Sequence, residues 1–205
     1  MNTQLLEKPA SQPKEESIIA LSGITWDRFK FIQASFDGIN SVKLTYLAGV
    51  LEIMSPLSRK HERVKSTLSL LLEAYMRTKG IRFYVLGGFT IEETEYSSAQ
   101  PDESYCIDTD KEIPDIVIEV IITSGTINKR ELYKPKGIPE IWFWKSNQLR
   151  VFHLKDGEYQ EVARSEFFPD LELDLLRRYI AHPDQYDAVQ EFEALIQSDS
   201  ISQNS

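Results

Sequence analysis

The sequence predicts an α/β fold in which a mixed central sheet is flanked by helices. First, apolar side chains between Ser58 and Thr78 recur at helical spacing, which places them on one stripe. Second, three short segments after Gly80 have the composition of strands, and Ile116–Ile122 is the most apolar of them. Third, the order helix, three strands, helix, strand is typical of a mixed sheet covered by helices.

Local signals predict the first half of the chain in order. Thr25 can cap a short helix that runs to about Ala34. The turn Ala48-Gly49 separates two short strands, and Gly80 ends the long helix. The strands predicted in this half are Val42–Tyr46, Val50–Met54, Arg82–Leu86, Asp102–Ile107 and Ile116–Ile122.

The second half begins with a short helix that Thr126 can cap and Pro135 stops. Turns at Ser146-Asn147 and Asp156-Gly157 then separate three strands. The strands are Glu140–Trp144, Leu149–Leu154 and Tyr159–Val162, and the closing helices are Leu171–Ile180 and Asp187–Ile196.

Length and composition predict one domain with tails. The chain has 205 residues, which is near the usual size of a single domain. Residues 1–16 are rich in Lys, Glu, Pro, Ser and Gln, so we expect a disordered tail. We expect one folded domain over residues 17–183 and a C-terminal helix and tail over 184–205.

The composition also excludes several classes of protein. A single cysteine permits no internal disulfide, and with three histidines it makes a Cys/His zinc site very improbable. No apolar run reaches the roughly 20 residues that a membrane span needs. The N-terminus lacks the apolar core of a signal peptide, so we expect a cytoplasmic protein without membrane contact.

Charge is segregated along the chain. The net charge of −9 argues against nucleic-acid binding, which usually requires basic surface. However, residues 59–82 hold seven Lys and Arg against two acids, and residues 126–150 hold six against two. Residues 92–119 hold ten acids and one lysine. The basic segments are either ordinary solvated faces or the lining of a channel for an anionic partner.

Glu119 is the residue that most needs an explanation. It lies in the middle of the strand PDIVIEVII, with apolar neighbours on both sides. An unpaired buried carboxylate costs several kcal/mol, so Glu119 needs a lysine, an arginine or a metal ion as partner. The alternative is an edge strand on which the face of Glu119 is open to water.

Lys129 and Asp102 are the candidate partners. With Thr126 as N-cap, Lys129 would be the third helical residue, at the positive end of the helix where acids are favoured. The connector containing Ser124 and Gly125 could bring this lysine back beside Glu119. Asp102 opens the preceding strand. The alternatives are a surface lysine and an ordinary aspartate at a strand start.

Two carboxylates and a lysine are the groups that phosphodiester hydrolysis needs. Carboxylates bind Mg²⁺, which offsets phosphate charge and generates hydroxide. A lysine can orient water or neutralise developing charge.

Other positions are less decisive. Glu52 could line the same cavity. His61 lies within the apolar helical stripe, where histidine is more often a core or rim residue than a catalyst. Trp142 and Trp144 share one strand face and indicate core.

These residues resemble a known family. The segments GVLEIMSPLSRKHERV, PDESYCI, PDIVIEVIITSGTINKRELY and GIPEIWFW are similar to the Uma family of restriction endonucleases, in the PD-(D/E)xK nuclease superfamily. The resemblance covers roughly residues 40–155. It implies a restriction-endonuclease-like fold with Asp102 and Glu119 as the motif acids, and Glu52 and His61 at the upstream positions. The strict motif would place its lysine at the position of Ile121. Relatives of this family are similar in carrying the lysine on the next helix, four residues before a tyrosine, and Lys129 and Tyr133 have that spacing.

The resemblance and the residues together lead to a function hypothesis. We expect a Mg²⁺- or Mn²⁺-dependent endodeoxyribonuclease, a hydrolase with Asp102 and Glu119 as metal ligands. Lys129, Glu52 and His61 would complete the catalytic site. The alternatives are a catalytically idle nuclease fold that binds nucleic acid or a protein, and a hydrolase of another phosphate ester. We also expect a homodimer on DNA, assembled through the apolar 149–162 hairpin or its neighbouring helices.

Overall fold

Two sheets and five helices make up the part of the chain that the computed structural model describes, residues 16–39, 42–55 and 58–202. The expected tail therefore lies outside the described residues, except for Glu16. The helices are α1 (Trp26–Ser35), α2 (Arg59–Lys79), α3 (Lys129–Tyr133), α4 (Leu173–Ile180) and α5 (Gln185–Ser202). The strands are β1 (Ser17–Ser22), β2 (Lys43–Leu47), β3 (Val50–Ser55), β4 (Phe83–Val85), β5 (Ile91–Glu93), β6 (Ser97–Ala99), β7 (Glu103–Ile107), β8 (Ile116–Ile121), β9 (Glu140–Lys145), β10 (Gln148–Lys155) and β11 (Glu158–Val162).

The larger sheet is mixed, as the sequence predicts. Its six strands run in the order β11-β10-β9-β8-β7-β4. β8 and β9 pair in parallel, whereas the other neighbours pair antiparallel. Parallel neighbours require a crossover connection, and α3 with the 3-10 turn at Lys134–Lys136 lies in it. This crossover brings α3 back to the end of β8.

A second, antiparallel sheet has the strand order β1-β3-β2-β6-β5. The sequence predicted β2 and β3 but not the other three strands. β5 and β6 have three residues each, which is too short for a period of two to be recognised. β1 pairs with β3 along its whole length, yet most of its side chains are exposed, so burial leaves no alternating pattern in its sequence.

The main core lies between the mixed sheet and helices α2, α4 and α5. The apolar stripe of α2 is buried there, and Trp142 and Trp144 are buried on the facing strand, as expected. α5 contributes Phe192, which is fully buried. Burial of this apolar area is the principal force that holds the three helices on the sheet.

The Thr25 cap and the helix end at Gly80 are confirmed, but α3 starts at a different residue and α5 runs over Gln185–Ser202, beyond the expected Asp187–Ile196. Thr25 and Ser58 cap α1 and α2, and Gly80 ends α2 in the left-handed conformation. Thr126 does not cap α3, however. Asn128 does, and Lys129 is the first helical residue rather than the third. The reason is tertiary: the main-chain N–H and hydroxyl of Thr126 both donate to the Glu52 carboxylate.

The β10–β11 hairpin is covered within the chain itself. Val151, Phe152 and Tyr159 are buried, and Leu154 and Val162 are partly buried against the cores. The apolar surface that suggested a dimer contact is therefore used in the fold, and the homodimer stays a prediction without that support. Within the described residues, no helix has the length and apolar character needed to cross a bilayer.

Candidate active site

Five side chains from five parts of the chain converge beside β8. Glu119 lies on β8 and Asp102 immediately precedes β7. Lys129 begins α3, His61 lies in the first turn of α2, and Lys43 begins β2. Four of the five were expected from the sequence, and Lys43 was not. The site is thus formed where the two sheets, α2 and α3 meet.

Glu119 is buried in an interior strand. Its side chain is 1% exposed, and β8 lies between β7 and β9, which rules out a wet edge strand. Oε2 accepts a hydrogen bond from Lys129 Nζ at 2.7 Å, and Oε1 accepts one from the Tyr133 hydroxyl at 2.5 Å. The Lys129 side chain is 15% exposed, so it is not the surface lysine of the alternative interpretation.

Asp102 is held by donors on both oxygens. Oδ1 accepts from Lys43 Nζ at 2.8 Å, and Oδ2 accepts from the Val120 N–H at 2.7 Å and lies 3.1 Å from His61 Nε2. Burial alone would raise the pKa of Asp102, but the nearby Lys43 and His61 hold that pKa well below its usual range. Asp102 is therefore an ionised carboxylate in the folded protein.

His61 is buried and oriented by Asp102. Burial lowers its pKa, but the hydrogen bond and the charge of Asp102 outweigh that effect and leave the pKa above 6.5. His61 is thus both a core residue, as its position in the stripe indicated, and a contact of the candidate site. It supports the carboxylate from the α2 side.

Lys43 links the two acids. Its Nζ lies 2.8 Å from Asp102 Oδ1 and 3.7 Å from Glu119 Oε2. Burial lowers the pKa of Lys43, yet the charges of Glu119 and Asp102 raise it above 10.5 overall, so the amine is charged. A signal was available in the sequence. The tight turn at Ala48-Gly49 pairs β2 with β3 and places Lys43 on the sheet face that carries Glu52.

Glu52 lies beside the candidate site and holds the loop that precedes α3. Its buried carboxylate accepts hydrogen bonds from the N–H groups of Thr126 and Ile127 and from the Thr126 hydroxyl. A Cβ at Gly125 would overlap this carboxylate, so the close approach requires glycine. Glu52 therefore fixes the loop that delivers Lys129, and it lines the cavity beside that lysine.

The carboxylates of Asp102 and Glu119 fit a site for one small metal ion that prefers oxygen ligands. Among residues 16–39, 42–55 and 58–202, no group of three or more His, Cys, Asp or Glu could hold a metal ion. Mg²⁺ is usually held by one or two carboxylates, with water and substrate phosphate completing its shell. Asp102 and Glu119 already share one cation, the amine of Lys43, so both face the same point.

A comparison of the sequence with known proteins identifies the family. The model of the family described as "Uma2: Putative restriction endonuclease" matches residues 34–180, which include every residue of the candidate site. No protein with a curated description matches the chain. The mixed α/β architecture with five helices is consistent with a restriction-endonuclease-like fold. The chain therefore belongs to the Uma2 family of restriction-endonuclease-like proteins.

Proposed function

We propose that the protein is a Mg²⁺- or Mn²⁺-dependent endodeoxyribonuclease that hydrolyses phosphodiester bonds. One observation carries the proposal: the Lys129 amine lies 2.7 Å from Glu119, and Glu119 shares Lys43 with the ionised Asp102. Two acids that face one point, next to a lysine, match the requirements for a metal ion and a charged phosphate.

Each residue has a distinct role in this proposal. Asp102 and Glu119 would hold the ion, which supplies a hydroxide nucleophile and offsets phosphate charge. Lys129 contacts Glu119 and lines the neighbouring cavity, and its amine would stabilise negative charge on the phosphate oxygens. Tyr133 and His61 fix the two carboxylates through hydrogen bonds, so the acids keep their orientation when substrate binds.

The second candidate is an idle nuclease fold that binds nucleic acid or a protein. Two observations favour it. The net charge is −9, and each oxygen of Asp102 and Glu119 already has a donor or cation from the protein. Against it stands the cost of keeping a buried acid cluster, since an apolar replacement of similar volume is often as stable. The two candidates differ in whether metal binds and DNA is cut.

The test of the enzyme is Glu119→Gln, with Glu191→Gln on the exposed face of α5 as control. The amide keeps the size of the side chain and an oxygen for Tyr133, but it loses the metal-binding charge. We expect no nicking or cutting of supercoiled plasmid by Glu119→Gln in Mg²⁺ or Mn²⁺, with an unchanged circular dichroism spectrum. Full activity in folded Glu119→Gln, or no activity in the wild type, overturns the proposal.

Metal binding has a separate test that needs no activity. Ligand that binds the native state stabilises it by about 2.7 kcal/mol at 100 times Kd. We therefore expect Mn²⁺ to raise the melting temperature of the wild type but not of Asp102→Asn. An equal rise in both proteins would show that the ion binds elsewhere.

The dimer is a further part of the proposal. Double-strand cleavage is easiest with two active sites, and closed two-fold dimers are the commonest oligomers. We expect light scattering to give a dimer mass at micromolar concentration. A monomer mass that persists on DNA would contradict this expectation.

A further inference from the structure

A cavity of about 260 Å³ opens beside the candidate site. Lys129 and Ile121 line it at the site, and Glu52 lines it from β3. Phe143 and Phe152 line it on the mixed sheet. The cavity therefore begins at the residue that we expect to contact the scissile phosphate, and it continues across the face of β9 and β10.

The lining is strongly cationic in an acidic protein. Besides Lys129 it includes Arg130, Lys145 and Arg150, against one acid, Glu52, whose charge is already engaged by the 126–127 loop. Arg150 pairs with Glu161. Within the described part of the chain, neither Arg130 nor Lys145 forms an ion pair. Lys129 is paired with Glu119, so Arg130 and Lys145 are the two cations at this opening that favour an anionic ligand.

The wall of the cavity is aromatic. Phe143 lies between two buried tryptophans and points to the opposite face of β9, where it is half-buried. Its ring contacts that of Phe152 edge-on, with centroids 5.6 Å apart. The guanidinium carbons of Arg130 and Arg150 each lie 5.2 Å from the Phe152 ring centroid. A flat ring placed on Phe143 would thus lie beside an aromatic ring that two guanidinium groups contact.

We propose that this cavity binds one unpaired nucleotide of the strand that is cut, with the base against Phe143 and a phosphate on Arg130 and Lys145. This inference rests on the proposed nuclease function. The volume lies just below the roughly 300–1,000 Å³ of ligand pockets, which suits a single base and excludes a base pair. Bases in an intact duplex are not available to such a cavity unless they leave the stack. The substrate class is therefore DNA that presents an unstacked base, either a single strand or a duplex from which one base has left the stack.

The test measures binding of fluorescent single-stranded oligothymidylate by anisotropy, in EDTA so that nothing is cut. Arg130→Gln and Lys145→Gln should each weaken binding by about tenfold, the ratio expected for one charged hydrogen bond. Each should also lower the salt slope by about 0.7, as expected when one phosphate contact is lost from a single strand. The matched controls are Arg178→Gln and Lys155→Gln, both exposed and away from the cavity.

A second arm tests the base. The wild type should bind the oligonucleotide at least fivefold more tightly than the same strand with abasic sites, because base–aromatic stacking contributes about 1–3 kcal/mol. Phe143→Leu should remove that difference, whereas Phe31→Leu, at a residue 75% exposed on α1, should keep it. A duplex of the same length should bind more weakly than the single strand.

The outcomes separate the two proposals. Unchanged affinity in Arg130→Gln and Lys145→Gln, equal binding of abasic strand, or no binding by the wild type overturns the nucleotide cavity, whatever the cleavage assay shows. Binding that depends on these residues in a protein that cuts no DNA supports the cavity and overturns the nuclease. Tighter binding of intact duplex than of single strand also contradicts the inference.

Discussion

Removing Lys43 should expose how the two acids are held together. Lys43→Gln deletes the cation shared by Asp102 and Glu119, whose side chains are 3% and 1% exposed. Breaking a buried ion pair by removing one partner costs about 3–5 kcal/mol. We expect the lower end of that range, because Lys129 and His61 remain in contact with the acids and the Lys43 side chain is 12% exposed, so water can enter.

This loss of stability predicts a measurable fall in melting temperature. For a chain of this size 1 kcal/mol shifts Tm by about 2–4 °C, so a loss of about 3 kcal/mol lowers it by roughly 6–12 °C. Scanning calorimetry in EDTA measures the shift. The matched control is Lys136→Gln, which breaks a 2.9 Å surface pair with Glu93 and should cost at most about 1 kcal/mol.

A divalent ion makes the test specific to the proposed site. An ion held by Asp102 and Glu119 would replace the charge of Lys43, so Mn²⁺ should raise the Tm of Lys43→Gln more than that of the wild type. A Tm of Lys43→Gln within about 2 °C of the wild-type Tm in EDTA would mean a loss of at most about 1 kcal/mol, which would refute the estimated cost. Equal Mn²⁺ shifts in the two proteins would refute the idea that Lys43 and the ion occupy the same place.

Three further predictions test the supporting contacts. Gly125→Ala should displace the Glu52 carboxylate and lower the free energy of unfolding by about 1–3 kcal/mol, measured in denaturant. Ser124→Ala, at the exposed neighbouring position, should leave that free energy unchanged. Equal stability of the two variants would show that the loop is free to move. Tyr133→Phe leaves Glu119 Oε1 without its hydroxyl donor and should cost about 1–3 kcal/mol, against less than about 0.5 kcal/mol for Tyr186→Phe on the surface. Burial raises the pKa of Tyr75 to about 12 and raises the pKa values of Tyr105, Tyr133 and Tyr159 further, so the native state keeps protons that the unfolded chain releases near its ordinary pKa of 10. The stability that these tyrosines contribute is fully present below about pH 10 and is lost as the pH rises above it. Absorbance at 295 nm should show the four tyrosines titrating together with loss of the circular dichroism signal. Titration of these tyrosines before unfolding would contradict their burial.

Local sequence patterns were enough to predict several parts of this protein. Periodicity predicted α2 and its buried stripe, because one helical face must be apolar to pack. Turn residues predicted the β2–β3 and β9–β10–β11 connections, since left-handed positions favour particular residue types. The isolated Glu119 in an apolar strand indicated a site, because a buried charge must have a partner.

Which residues meet in the site depends on contacts between distant parts of the chain. β5 and β6 are too short to carry a pattern, and β1 acquires its place by pairing with β3. Lys43 reaches Asp102 across 59 positions of sequence, and Glu52 reaches the 126–127 loop across more than 70. That second contact also moved the N-cap of α3 from Thr126 to Asn128, because the Thr126 hydroxyl donates to the buried Glu52 carboxylate and Asn128 accepts from the helical N–H instead. Local propensity cannot anticipate such competition, since the competing acceptor arrives only when the two sheets come together.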